Sequence, residues 1–136
     1  MQKPFISAAL FFVLSFFTTI TFAQSNTGTN EAEPGDLYVL VKYKTTEQKF
    51  DEAVSALNEL ILKVKKEPHF VNIKMFTDPA DRTNILLYEQ WGSEDYYKGD
   101  HMGTPYLQKF MVDARSFIAG PPDISFWNLK NNYTAD

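Results

Sequence analysis

The sequence predicts an α+β domain with the element order β-α-β-β-α-β, and three features of the chain predict it. Two stretches carry apolar residues at helical spacing, Phe50 to Val64 and Tyr106 to Ile118. Four short runs rich in β-branched and aromatic residues surround them. The middle two runs are separated only by the turn "DPADRT", so they form a hairpin.

The first strand is "LYVLVKYK", Leu37 to Lys44, bounded by Gly35 and Thr45. Thr45 and Gln48 fit a capping box for the first helix. Phe50, Ala53, Val54, Leu57, Leu60, Ile61 and Val64 form its apolar stripe. Lys63, Lys65 and Lys66 suit its negative end, and Pro68 stops it. Strand two is "FVNIKMF", Phe70 to Phe76, and strand three "NILLYEQW", Asn84 to Trp91. Ser93 caps a short turn through "EDYYK", which Gly99 and Gly103 break. Thr104 caps the second helix and Pro105 opens it. Its apolar face holds Tyr106 or Leu107, Phe110, Met111, Ala114, Phe117 and Ile118, and Gly120-Pro121-Pro122 ends it. "DISFWNL", Asp123 to Leu129, is strand four. This order is the split-βαβ, or ferredoxin-like, arrangement.

Two helices cover one face of such a sheet. Tyr38, Leu40, Phe76, Leu86, Tyr88, Phe126 and Trp127 are expected on the other. So much apolar surface predicts a homodimer packed sheet to sheet.

The 136 residues suit one domain. Residues 1–23 follow the grammar of a cleavable signal peptide: Lys3, an apolar run from Phe5 to Phe17, and Ala23 at the expected cleavage point. A secreted or periplasmic protein is expected, with an uncleaved anchor as the alternative. Residues 24–36 read as a flexible linker, 37–130 as the folded domain and 131–136 as a frayed tail. A formal charge of -4 argues against nucleic acid or an anionic membrane as partner, and no stable membrane partner is expected after signal cleavage. The absence of Cys excludes disulfides, thiol catalysis and Cys-based metal sites. Two distant His make no metal cluster, and no phosphate-cradling glycine loop follows strand one.

Glu89-x-Trp91 at a strand end, His101 at a helix entry, and then Thr104-Pro105-Tyr106 with Phe110 resemble the antibiotic biosynthesis monooxygenase family. The resemblance covers roughly Leu37 to Leu129. It implies a dimeric ferredoxin-like α/β barrel. It also implies oxygenation of a quinol or phenol by O2 with no metal, flavin or haem cofactor. The family pattern often has a second His where this chain has Tyr106. A haem-degrading branch uses an Asn on strand one, which "LYVLVKYK" lacks, and His101 stands where that branch has a Trp. Haem binding or degradation is therefore the weakest alternative.

On this reading His101 is the base that accepts a phenolic proton. Glu89 orients it, and Tyr106 hydrogen-bonds a substrate oxygen in place of the missing His. Trp91 walls a flat aromatic substrate by stacking, being on the same strand face as Glu89. Tyr88, Tyr97 and Phe110 are the further substrate-contact candidates, with Tyr96 and Tyr97 as a pocket lid. The plainer readings remain open: His101 as a helix cap or bonded to a backbone group, Trp91 and Phe110 as core, and Glu89 paired with a lysine or arginine such as Arg115. A non-catalytic dimeric module holding a hydrophobic ligand is the alternative function. His69 is expected to be exposed in a loop, and "NYT" at Asn132 matches a glycosylation sequon.

Overall fold

The computed structural model describes residues 36–135. The expected signal peptide and residues 24–35 of the expected linker lie outside them. The elements are β1 (Leu37–Lys44), α1 (Phe50–Val64), β2 (Phe70–Thr77), β3 (Asn84–Trp91), α2 (Glu94–Tyr96), α3 (Pro105–Asp113) and β4 (Asp123–Asn128). A single π turn, Tyr97–His101, joins α2 to the approach to α3. The sheet is antiparallel in the order β2-β3-β1-β4, the ferredoxin-like order. Residues 129–135 carry no regular element.

Alternation decides which side chains meet the helices. Val39 and Val41 of β1 and Ile85 and Leu87 of β3 are buried with Ala53, Leu57, Leu60 and Val64 of α1. Leu107 and Phe110 of α3 complete this layer. Tyr38, Leu40, Leu86, Tyr88, Phe76 and Trp127 occupy the opposite face, as the register of the four strands requires. Phe126 does not join them. It pairs with Val39 and stands 5.9 Å from the Tyr97 ring on the helix side, since consecutive strand residues cannot share a face. On the open face Phe76 and Trp127 are 48% and 58% exposed, whereas Tyr38 is buried beside Tyr88, ring to ring at 5.6 Å.

Several local expectations give way to tertiary contacts. The capping box at Thr45 does not form. Thr45 continues the sheet edge, bridging Ile118, and its N–H and hydroxyl both donate to the Thr83 carbonyl. The helix therefore starts after a 3-10 turn, at Phe50. Ser93 does cap α2, accepting from the Tyr96 N–H at 3.2 Å. Gly99 does not break the chain there but sits inside the π turn. Thr104 precedes Pro105 as expected, yet its hydroxyl donates back to the His101 carbonyl at 2.9 Å instead of capping α3. α3 ends at Asp113, and a 3-10 turn, Ala114–Ser116, follows before Gly120-Pro121-Pro122. Asp36 belongs to the fold rather than to a linker, because it is buried and accepts from Gln90 Nε2 at 2.6 Å.

Candidate functional site

Between the helix-facing side of the sheet and the two long helices lies a cavity of about 570 Å³. Its sheet wall is Val41, Tyr43, Leu87 and Glu89; its helix wall includes Leu60, Val64, Leu107 and Phe110. Tyr97 and His101 close one part of it, and Arg115 with the 118–122 loop borders another. An apolar cavity with a few convergent polar groups is the usual form of a small-molecule site.

His101 is held from three sides. Its Nδ1 lies 3.0 Å from each carboxylate oxygen of Glu67, in the turn between α1 and β2. The Trp91 ring lies 4.5 Å away on one flank, and Tyr97 stacks at 4.9 Å and 29° on another. Both the His101 and Glu67 side chains are only 6% exposed. With Nδ1 bound as a donor to the carboxylate, the neutral imidazole keeps its lone pair on Nε2, which has no hydrogen-bond partner among the described residues. The π turn that carries His101 is a local irregularity of a kind frequent at functional sites.

Glu67 also accepts from the Tyr106 hydroxyl and, at 3.1 Å, from the Tyr96 hydroxyl. Tyr106 is therefore spent on Glu67 and does not line the cavity. Burial and the Glu67 carboxylate together push its phenol up to about 12. Trp91 is fully buried behind His101, its N–H donating to Glu89 Oε2 at 3.0 Å, so it backs the site rather than walling it. Tyr97 and Phe110 do face the cavity. Tyr97 is a buried wall rather than a lid, and burial followed by the Glu89 charge raises its phenol. Tyr88 stands on the opposite sheet face, since it alternates with Glu89, and cannot reach this cavity. Glu89 does not pair with Arg115. His69 is exposed, with a φ of 62° in the turn beside Glu67.

Glu67 is the residue that sequence reasoning missed. In "KKEPHF" it looks like one more solvated charge at a helix end. Tyr43 was missed as a cavity residue too, although its odd position on β1, in step with Val39 and Val41, places it on the helix side.

Glu89 is 6% exposed and its carboxyl is pushed up to about 7. Burial is the main cause; the Trp91 N–H works against it and the nearby Glu67 charge adds to it. The folded value lies above the ordinary 4.5. The stability tied to the neutral carboxyl is thus complete below about 4.5 and is lost as pH rises through about 7. The expected loss across this window is on the order of 1–3 kcal/mol. Urea unfolding at steps across the window should show it, and Glu89→Gln should flatten the slope. Equal slopes in the two proteins would mean that the carboxyl is hydrated.

Among the described residues no group of three or more His, Asp or Glu is placed to hold a metal ion. Comparison with solved structures finds the same fold in a protein of Caulobacter crescentus assigned to the antibiotic biosynthesis monooxygenases. It is 23% identical with a TM-score of 0.66, covering 72% of this chain and 92% of that one. A conserved protein of Methanosarcina mazei is similar at 15% identity and a TM-score of 0.65, covering 70% and 93%. No curated protein matches the chain. Comparison with protein families matches residues 36–113 to antibiotic biosynthesis monooxygenase. With more than half of its length matched, and with the ferredoxin-like sheet order on the page, this chain belongs to the antibiotic biosynthesis monooxygenase family.

Proposed function

We propose that the protein is a secreted, cofactor-independent monooxygenase acting on a small quinol or phenol in the cavity. The observation that carries this reading is His101, fixed through Nδ1 by Glu67 and set in the wall of an apolar cavity beside the Glu89 carboxyl. Nε2 takes the phenolic proton, and the quinolate becomes electron-rich enough to pass an electron to O2. The resulting pair joins as a ring peroxide, and O–O cleavage leaves one oxygen on the ring while the other departs as water. The balance is quinol plus O2 giving hydroxyquinone plus water. Glu89, near neutrality in its proton affinity, supplies the proton to the departing oxygen. Secretion is supported by the pattern of residues 1–23.

The test is oxygen uptake by purified protein with a panel of quinols and without added metal or flavin. Turnover of at least one member is expected; none across a broad panel would sink the reading. One observation favours the second reading, a non-catalytic module for a hydrophobic ligand: Tyr106, in the place of the family's second His, is turned away to Glu67. A compound that raises the melting temperature without being consumed would point there.

The reading includes a homodimer that covers Phe76 and Trp127, both largely exposed on the open sheet face. Pairing that is required for stability makes the melting temperature rise with protein concentration. A folded monomer by light scattering at micromolar concentration would overturn it.

A further inference from the structure

We propose that the cavity's ligand carries a carboxylate, bound by Arg115 at the end remote from His101 and Glu89. This rests on the reading of the cavity as the substrate site, and it specifies the class of substrate: an amphipathic aromatic acid with its hydroxylated ring inward.

The placement follows from the strand register. Glu89 pairs with Val39 near the start of β1. The cavity continues along β1 past Val41 to Tyr43. Four residues of extended chain span ~13 Å. Beyond Tyr43, Thr45 is bridged to Ile118, and the Ala119 N–H donates to the Lys44 carbonyl at 2.7 Å. The segment that follows α3 is thereby fastened to the far end of β1, and Arg115, three residues before Ile118, borders the cavity there. The two ends of the cavity thus differ in chemistry: His101 and Glu89 stand at one, the exposed Arg115 borders the other, and the walls between are apolar apart from the Tyr43 phenol.

Arg115 has no competing partner among the described residues. Among the described residues it makes no ion pair, and its guanidinium has no hydrogen bond. The nearest acid in sequence, Asp113, is taken by Lys109. Glu89, the acid that shares the cavity, is turned to Trp91. A single guanidinium matches the charge and planar fork of one carboxylate. A phosphate dianion would call for more cationic donors than the lining supplies, since among the described lining residues Arg115 is the only arginine and there is no lysine.

The test uses ω-(4-hydroxyphenyl)alkanoates of increasing chain length and their primary amides. These are phenols rather than quinols, so binding is read by calorimetry with no turnover needed. In the wild type the best acid should bind roughly tenfold or more tighter than its amide, the scale of a charge-assisted hydrogen bond. Arg115→Gln should remove that preference, and Arg115→Lys should keep part of it. Equal binding of acid and amide to the wild type would overturn the proposal. So would an unchanged preference in Arg115→Gln, or no binding anywhere in the series. Absence of oxygen uptake with quinols would count against the monooxygenase reading alone and leave this measurement intact.

Discussion

Replacing His101 with alanine is expected to lower kcat for the best quinol by about 10²–10⁴-fold, the range over which a positioned general base acts. The fold holds the ring next to the cavity between Trp91 and Tyr97 and against Glu67. Because His101 is buried, the alanine variant also loses packing, so two controls separate chemistry from folding. His101→Gln retains an amide donor for Glu67 but no base, and should be as inactive as the alanine variant while melting closer to the wild type. Free imidazole should restore part of the activity of His101→Ala, because it can enter the space left by the ring. Oxygen uptake at saturating quinol is the readout. Full activity in a folded His101→Gln would assign the proton transfer to Glu89 or another group.

How far the chain announces this site depends on whether a residue's role is local. β1 and β3 were legible to the residue because each is a short run rich in β-formers between turn residues, and side chains along a strand alternate with period two. The pairing of Glu89 with Trp91 on one face follows from the same period. That period also excludes Tyr88 from the cavity and separates Phe126 from Trp127, so both misplacements came from applying it incompletely. Thr45 and Gly99 are different. Thr45 reads locally as a helix cap, and only a strand bridge to Ile118 recruits it elsewhere. Gly99 reads as a breaker, but a π turn accommodates it. His101 could be singled out by its chemistry and setting, whereas its orientation comes from a carboxylate 34 residues earlier in the chain. No periodicity or spacing links Glu67 to Tyr96, His101 and Tyr106. That link exists only once α1 and the segment leading into α3 are packed together.

Glu67→Ala is expected to destabilise the protein by roughly 3–5 kcal/mol, since it leaves several buried donors unsatisfied at about 1–3 kcal/mol each. The Glu67 side chain is 6% exposed and receives three donors: His101 Nδ1, the Tyr96 hydroxyl and the Tyr106 hydroxyl. The donors come from α2, the π turn and α3, while the acceptor comes from the turn that ends α1. One carboxylate therefore ties the end of α1 to the segment leading into α3 at the edge of the cavity. Truncating it strands buried donors, and the cost arises from their lost hydration as much as from the lost bonds. Removing a donor instead leaves the carboxylate with two others, so Tyr106→Phe should cost only about 1 kcal/mol. Glu67→Gln should fall between the two, since its amide oxygen still accepts but no longer carries charge. Urea unfolding at neutral pH ranks the three variants. If Glu67→Ala lay within 1 kcal/mol of the wild type, the side chain would be hydrated in solution, and His101 would have no fixed tautomer with which to act as a base.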